Sequence, residues 1–370
     1  MPVPARDNIE RLDAYVPGEQ PGYRQTSGGS GGGPGSVVKL NTNESPYPPS
    51  DAVLRAVRGL SAEALRLYPP ADAAEFRVAA AEGHGLTPGH VIATNGGDEL
   101  LRLLITVFCE PGIGGIGTTA PSYTLYPVLA AIQDTPLCVV DRLGDGFALP
   151  EDLAERWNGA GCRLAFLVNP HAPSGRLEPL DTVRALAEAF DGLLVVDEAY
   201  VDFAAHDALP LLRDEARSDI VILRSLSKGY GLAGLRFGYG LADPAIIATL
   251  DKARDSYNTD IVAQVAATAA VRDVGYARST WRKVIDERAR LTAELRRRGF
   301  AVPDSESNFV LAAVPSGGAA RAEAIYRHCK THGVLIRYFG SQPRLGDRLR
   351  ITVGTPAQTD RLLGLIDSPP

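Results

Sequence analysis

Short apolar runs alternate with amphipathic stretches through much of this 370-residue chain. Between about residues 41 and 260, runs of four or five residues are separated by segments with apolar positions at helical spacing, such as 99–108 and 180–190. Strands that alternate with helices indicate an α/β domain with a mostly parallel sheet. The runs predict seven strands, at residues 91–94, 115–119, 137–140, 164–168, 193–196, 220–223 and 237–241.

The pattern changes on either side of this region. After about residue 260 a long helical stretch is followed by strand-like runs at 308–313, Val334–Tyr338 and 349–353, which predicts a smaller α+β domain over residues 261–370. Residues 1–40 include the glycine- and serine-rich tract 27–35, which cannot pack a core. We therefore expect an N-terminal arm at 1–40, a large domain at 41–260 and a small domain after it.

Polar residues follow several of the predicted strands directly. Gly96, Gly97 and Asp98 come after the first strand, Asp197 after the fifth, and 225–228 after the sixth. In largely parallel sheets, ligands bind beyond the carboxyl ends of the strands. The sequence therefore predicts a ligand site at this edge of the sheet.

Lys228 ends the polar segment after the sixth strand and opens a glycine-rich stretch, 229–236. A lysine at the mouth of an apolar strand is costly unless its amine extends into water or has a function. Partial burial lowers the pKa of a lysine, and the neutral amine can form a Schiff base with an aldehyde. The residue alone leaves both interpretations open.

Asp197 follows an apolar strand, where a carboxylate needs a cationic partner. A protonated pyridine nitrogen would serve, and a metal ion or a strand-end cap is the alternative. Gly96 and Gly97 before a helix offer backbone N–H groups to a phosphate, unless they are only a turn before an Asp98 cap. The hydroxyls of Ser225 and Ser227, together with Arg236, are typical ligands of a phosphate dianion.

Composition excludes several classes of partner. A net charge of −6 gives no electrostatic footprint for nucleic acid or an anionic membrane, and the longest apolar runs have the length of strands. The four cysteines form no C-x-x-C pair, which favours free thiols and a cytoplasmic location. His328 and His332 have helical spacing but lack an acidic residue between them in an H-E-x-x-H motif, so we expect no metal site.

In this order, the motifs resemble those of the fold-type I transferases that use pyridoxal 5′-phosphate (PLP), and within them the histidinol-phosphate aminotransferase family. The resemblance runs from about residue 41 to residue 355. It is carried by Asn41-Thr42-Asn43-Glu44, Leu67-Tyr68-Pro69, Gly96-Gly97-Asp98-Glu99, Phe108-Cys109-Glu110-Pro111-Gly112, Val196-Asp197-Glu198-Ala199-Tyr200, Ser225-Leu226-Ser227-Lys228, Leu232-Ala233-Gly234-Leu235-Arg236, Ser307-Asn308-Phe309 and Leu349-Arg350-Ile351-Thr352-Val353-Gly354-Thr355.

The resemblance implies a role for each matching residue. Lys228 would hold PLP covalently and carry the proton during transfer, and Asp197 would pair with the ring nitrogen. Tyr200 would hydrogen-bond the ring hydroxyl, and Tyr123 would stack on the ring. The residues implied to bind the cofactor phosphate are Gly97, Asp98, Ser225, Ser227 and Arg236, with Tyr68 from the other subunit of a homodimer. Those implied to bind or cover the substrate are Asn43, Arg337, Arg350 and Tyr15.

One position departs from the family pattern. The family's asparagine before Pro-Thr-Gly hydrogen-bonds the PLP ring oxygen, whereas Ala172 stands there in this chain. We expect His171 or a water molecule to replace the missing donor, in preference to Asn169, with Ser174 a poorer candidate.

The activity implied by the resemblance is a PLP-dependent transamination in histidine biosynthesis. It would convert L-histidinol phosphate and 2-oxoglutarate into imidazole acetol phosphate and L-glutamate. An aromatic aminotransferase or a threonine-phosphate decarboxylase-like enzyme carries similar motifs. A non-catalytic protein of the same fold is a further alternative, against which Lys228, Asp197 and Arg236 argue.

Overall fold

Two β-sheets organise the part of the chain that the computed structural model describes, residues 3–13, 18–21 and 37–368. The strands, in chain order, are β1 Val38–Leu40, β2 Val91–Thr94, β3 Gly115–Ala120, β4 Leu137–Asp141, β5 Cys162–Val168, β6 Leu193–Asp197, β7 Ile220–Ser225, β8 Gly238–Ala242, β9 Phe309–Ala313, β10 Val334–Tyr338 and β11 Arg348–Thr352.

The larger sheet contains seven strands within those ranges, in the order β2-β8-β7-β6-β5-β3-β4. Strand β8 runs antiparallel to both of its neighbours, and the other pairings are parallel. The predicted mostly parallel sheet is confirmed, with strand ends within two residues of the prediction. Strands β5 and β6 lie at its centre and are almost wholly buried, as expected of continuous apolar runs covered on both faces.

The α-helices among the described residues lie on both faces of this sheet and beside the smaller one. They are α1 Asp7–Glu10, α2 Asp51–Arg58, α3 Ala62–Arg66, α4 Ala74–His84, α5 Gly97–Phe108, α6 Leu125–Gln133, α7 Leu153–Gly159, α8 Leu180–Ala189, α9 Leu209–Arg213, α10 Pro244–Ala253, α11 Ile261–Arg272, α12 Val274–Arg297, α13 Gly318–Thr331 and α14 Pro356–Asp367. None of them is both long enough and apolar enough to cross a membrane.

The smaller sheet has the order β1-β10-β11-β9 and confirms the predicted α+β unit. Strand β1 comes from the N-terminal side of the chain and pairs in parallel with β10. Its three residues are too few for a hydrophobic pattern, so the sequence did not reveal it. In the antiparallel pair β10 and β11, Arg337 stands opposite Arg350.

The two helices after Asp260 pack in different cores. The small residues Ala263, Ala266 and Ala267 of α11 are buried in the core of the larger sheet. By contrast, Val284 and Leu291 of α12 belong to the core of the smaller sheet. We therefore propose a domain boundary near residue 273.

Candidate active site

A cavity of about 490 Å³ lies beyond the carboxyl ends of the central strands and is closed by residues of the smaller sheet. Segment 41–44 forms part of its wall. The cavity brings together most residues that the sequence singled out: Asn43, Gly97, Asp98, Tyr123, Asp197, Tyr200, Ser225, Ser227, Lys228, Arg236, Arg337 and Arg350.

Lys228 reaches the cavity from the loop after β7. Its Nζ donates a hydrogen bond to the carbonyl oxygen of Thr42 at 3.1 Å. Burial lowers the pKa of this amine to about 8; the carboxylate of Glu44 opposes the change, and the guanidinium of Arg350 adds to it. Near neutral pH a sizeable share of the amine is therefore uncharged and can act as a nucleophile.

Asp197 is the last residue of β6, and its carboxylate is buried. Its hydrogen-bond partners among the described residues are the hydroxyl of Tyr126, at 2.7 Å, and the backbone N–H of Ala199, at 3.1 Å. Burial raises the pKa of Asp197 to about 6, and the two hydrogen bonds oppose that rise. Neither partner is a cation, so a positive ring nitrogen in the cavity would stabilise the ionised carboxylate.

Tyr126 was not predicted from the sequence. It lies three residues after Tyr123, one helical turn away, and its ring stacks on Phe166 with the ring centroids 4.7 Å apart. The i, i+3 spacing of two tyrosines is a signal that could have indicated a second aromatic contact at the site. Tyr123 lines the cavity, and its hydroxyl donates to Asp98 at 3.2 Å.

A second group of residues surrounds the N-terminus of α5, which begins at Gly97. Arg236 donates from Nη1 to the hydroxyl of Ser227 and from Nη2 to the carboxylate of Asp98, both at 3.4 Å. A Cβ atom at Gly96 would lie 2.6 Å from Nη2 of Arg236, so glycine lets the guanidinium approach the helix terminus. Backbone N–H groups, hydroxyls and a guanidinium here form a site for a phosphate.

The larger sheet also needs a glycine beneath this turn. A Cβ atom at Gly238 of β8 would lie 2.8 Å from the backbone nitrogen of Gly97. The absence of a side chain there lets the turn at Gly96 and Gly97 pack directly on the sheet.

Asn43 connects the smaller sheet to the site. Its side-chain amide donates to the hydroxyl of Tyr200 at 3.1 Å, and its backbone N–H donates to the hydroxyl of Thr352 at 3.0 Å. Asn308 donates to the carbonyl oxygen of Asn43 at 2.9 Å. These bonds hold Asn43 at a φ of 56°, in the left-handed region that asparagine tolerates better than most residues. Thr352 and Asn308 therefore have positioning roles that no local pattern could reveal.

The expected replacement of the missing asparagine by His171 is wrong for this structure. Ala172 is buried and lines the cavity, but His171 points away from it. Its Nε2 donates to the carbonyl oxygen of Pro121 at 2.8 Å, so its Nδ1 accepts the hydroxyl of Ser174 at 2.7 Å. Asn169 is also occupied, since its Oδ1 accepts the backbone N–H of Glu178 at 2.8 Å.

The structure does not place the two remaining predicted residues in this cavity: one lies elsewhere on the surface, and the other is not among the described residues. Tyr68 is 80% exposed, and its ring stacks on Tyr257 with the centroids 4.5 Å apart. Tyr15 lies outside the described residues.

The residues present fit PLP at three separate points of the cavity. Lys228 offers an amine of lowered pKa to its aldehyde, and the buried Asp197 has no cationic partner among the described residues, which the ring nitrogen would supply. The glycine turn at Gly96 lets the guanidinium of Arg236 approach the N-terminus of α5, where a phosphate would bind. These are three different chemical groups of one cofactor.

Comparison with known proteins agrees with this fit. Residues 35–366 match the family model described as aminotransferase class I and II. The chain is 40% identical to histidinol-phosphate aminotransferase 1 of Nostoc sp., covering 97% of this chain and 96% of that protein. It is 39% identical to histidinol-phosphate aminotransferase of Geotalea uraniireducens, covering 98% of each.

A solved structure is similar over the same length. The crystal structure of histidinol-phosphate aminotransferase from Sinorhizobium meliloti, in complex with pyridoxal-5′-phosphate, superposes with a TM-score of 0.85 at 27% identity, covering 98% of each chain. The predicted cytoplasmic location stays a prediction. The predicted family and cofactor are confirmed: the chain belongs to the class I and II aminotransferases, within them to the histidinol-phosphate aminotransferase family, and its cofactor is PLP.

Proposed function

We propose that this protein transfers the amino group of L-histidinol phosphate to 2-oxoglutarate, yielding imidazole acetol phosphate and L-glutamate in histidine biosynthesis. The relatives that are about 40% identical over nearly the whole chain support this donor. The observation that carries the proposal is the pair Arg337 and Arg350, which stand opposite each other on β10 and β11 and line the cavity that contains Lys228.

Lys228 is proposed as both covalent anchor and proton carrier. PLP, when bound, supplies an aldehyde that accepts the amino group and an electron-poor ring that withdraws charge from the substrate. With its pKa lowered to about 8 by burial, the amine of Lys228 can take up and release a proton near neutral pH. Its Nζ, held near the carbonyl of Thr42, is the atom proposed to move the proton from the substrate's Cα.

Asp197 and Tyr200 are proposed to orient the ring from opposite sides. Asp197 is fixed by Tyr126 and Ala199 at the end of a central strand, so its carboxylate cannot turn away from the cavity without losing both bonds. Tyr200 contacts Phe309 edge to face, with the centroids 5.0 Å apart, and accepts from Asn43. Tyr123 is proposed to cover one face of the ring.

The phosphate of the cofactor is proposed to bind at the N-terminus of α5. The proposed ligands are Gly97, Asp98, Ser225, Ser227 and Arg236, which surround one part of the cavity. Asp98 already accepts from Tyr123 and pairs with Arg236, so a phosphate there would share the guanidinium with it.

Arg337 and Arg350 are proposed to bind the anionic end of each substrate in turn. The guanidinium fork binds carboxylate and phosphate oxygens in the same bidentate geometry, so one pair can serve the donor's phosphate and the acceptor's carboxylate. Arg350 also donates to the carbonyl oxygen of Asn41 at 3.0 Å, which ties it to the segment that carries Asn43.

We further propose that the enzyme is a homodimer in which Tyr68 reaches the cofactor phosphate of the partner. The exposed, stacked pair Tyr68 and Tyr257 supports this, because two outward-facing aromatic rings are costly to leave in water. Light scattering of the purified holoenzyme tests the dimer. A monomeric, fully active enzyme would contradict it.

A panel of amino donors tests the proposed reaction. L-histidinol phosphate, L-histidinol, L-phenylalanine and O-phospho-L-threonine are each assayed with 2-oxoglutarate. We expect the highest kcat/KM with histidinol phosphate. A higher kcat/KM with phenylalanine would assign an aromatic aminotransferase instead, and loss of carbon dioxide from phosphothreonine would assign a decarboxylase.

A further inference from the structure

Phe339 lies between the two arginines that are proposed to bind the substrate. The Cζ atoms of Arg337 and Arg350 are each 5.6 Å from the centroid of its ring. Arg350 also lies 5.3 Å from the ring centroid of Phe309, so two aromatic rings contact its guanidinium. Phe339 itself follows β10 directly and lines the cavity.

An aromatic ring at this place can offset the repulsion between two neighbouring arginines. Arg337 and Arg350 are directly opposite on antiparallel strands, where like charges destabilise the pair. A carboxylate between them would relieve that repulsion but would compete with the substrate anion. No carboxylate of the described residues lies within 4.0 Å of the Arg337 guanidinium. The face of a phenyl ring attracts a cation without cancelling its charge.

The ring of Phe339 packs against side chains from two parts of the chain. It packs against a buried cluster of Phe147, Leu311 and Leu345. Leu311 belongs to β9 of the smaller sheet, whereas Phe147 follows β4 of the larger one. Packing against this buried cluster limits the movement of the ring away from the arginines.

Two further arginines fix the Phe147 end of this cluster. The Cζ atoms of Arg344 and Arg348 are each 5.2 Å from the ring centroid of Phe147. Arg344 also donates to the carbonyl oxygens of Arg142 and Gly144, which lie in the larger domain. The segment that follows Phe339 is therefore anchored to the loop after β4.

We propose that Phe339 is a positioning residue for the substrate anion, because its ring contacts the guanidiniums of both Arg337 and Arg350 and holds them in place at the cavity. This inference rests on the proposed function insofar as that function assigns anionic substrates to the two arginines. Phe339 contacts no reacting atom in this account. Its effect is on the affinity for phosphate and carboxylate groups.

The test compares Phe339→Leu with Phe339→Tyr in the holoenzyme. Leucine keeps apolar packing against Leu311 and Leu345 but removes the aromatic face, whereas tyrosine keeps that face. Each half-reaction is followed separately by the visible absorbance of the bound cofactor. The ligands are 2-oxoglutarate, L-histidinol phosphate, L-histidinol and, as a competitor, inorganic phosphate.

We expect Phe339→Leu to raise the dissociation constants of 2-oxoglutarate, histidinol phosphate and inorganic phosphate by roughly 5- to 30-fold. This is the effect expected if the arginines must be ordered again on binding at a cost similar to the energy of two cation–π contacts. The dissociation constant of histidinol, which lacks the phosphate, should change by less than about twofold, and Phe339→Tyr should resemble the wild type. Thermal melting of each variant reports on folding independently.

Two results would overturn the inference. One is an unchanged affinity for 2-oxoglutarate in Phe339→Leu. The other is an equal loss of affinity for histidinol and its phosphate, which indicates a general structural role. The test is separate from that of the proposed donor, because 2-oxoglutarate and inorganic phosphate probe the arginines whichever amine the wild-type enzyme prefers.

Discussion

The two ends of the cavity are built from different parts of the chain. At the cofactor end, Asp197 terminates a buried central strand and Lys228 follows the neighbouring strand, so both depend on the rigid core of the larger sheet. At the substrate end, Arg337 and Arg350 belong to the smaller sheet and are held by aromatic rings and by the 41–44 segment. We infer that the two ends have different functions. The residues on the larger sheet support the chemistry that is common to every substrate, and the arginines of the smaller sheet determine which anionic groups bind.

The largest effect is expected from Lys228→Ala, which removes the residue proposed as both covalent anchor and proton carrier. Turnover should fall by about 10⁴-fold or more with every donor. Borohydride reduction of the wild-type holoenzyme, followed by peptide mapping, should place the cofactor on Lys228. Reduced cofactor on Lys39 or Lys252 would contradict the assignment.

Asp197→Asn should lower turnover on the order of 10³-fold, because the ring nitrogen loses its buried counter-charge. Since this residue belongs to the cofactor end, the loss should be the same factor for histidinol phosphate and for histidinol. Steady-state kinetics with both donors checks it. Tyr126→Phe is the matched control: it removes one hydrogen bond to the carboxylate but leaves the charge, and should have a much smaller effect.

Arg350→Lys should raise the KM for histidinol phosphate and 2-oxoglutarate by about 10- to 100-fold, since lysine offers a point charge in place of a bidentate fork. The KM for histidinol should change little. A variant with reduced thermal stability but unchanged kinetics in both half-reactions would show that the arginine has only a structural role.

The increase in Tm caused by PLP should depend on pH because of the buried carboxylate of Asp197. Burial raises the pKa of Asp197 from 3.8 to about 6, so the folded protein without PLP binds more protons than the unfolded chain between those values. This group's contribution to stability therefore falls as pH rises through that window. A cationic ring nitrogen removes this loss of stability, which is about 1 kcal/mol between pH 5 and pH 7. For a chain of this length, PLP should therefore raise the Tm more at pH 7 than at pH 5, by roughly 2 °C.

Differential scanning fluorimetry with and without PLP at the two pH values measures this difference. Glu198 and Asp202 also have a pKa raised by burial to about 7, and they titrate in both forms. Asp197→Asn is therefore the control that isolates the residue. If PLP raised the Tm of this variant by the same additional amount at pH 7, the effect would belong to another titrating group.

The smallest effect is expected from Ala172→Asn. His171 and Asn169 are hydrogen-bonded elsewhere. Among the described residues, Tyr200 is therefore the side chain proposed to hydrogen-bond the ring oxygen. Restoring an amide should shift the pKa read from the visible absorbance of the holoenzyme by up to about one unit. An unchanged titration curve would show that the oxygen is already satisfied, for example by water.

The cofactor end could be predicted from sequence because its residues stand next to strong strand patterns. Asp197 and the segment ending at Lys228 follow apolar runs, and the position of a strand end fixes that of the next residue. The other contacts depend on distant parts of the chain. Thr352 and Asn308 reach Asn43 across more than 260 residues, which no periodicity records.

One prediction was wrong and one residue was missed. The sequence suggested His171 as a ring-oxygen donor by proximity along the chain, but burial and two hydrogen bonds direct its ring away from the cavity. Phe339 was not singled out, and its sequence position carries no signal, because an aromatic residue after a strand is normally part of the core. Only the placement of two guanidiniums against its ring distinguishes it.

One measurement tests the division between the two ends most directly: the ratio of kcat/KM for histidinol phosphate to that for histidinol, in the wild type, Asp197→Asn and Arg350→Lys. The account predicts that Asp197→Asn lowers both values and preserves the ratio, whereas Arg350→Lys lowers the ratio by about tenfold or more. The account would be contradicted if this ratio differed from the wild-type value in Asp197→Asn, or if it equalled the wild-type value in Arg350→Lys.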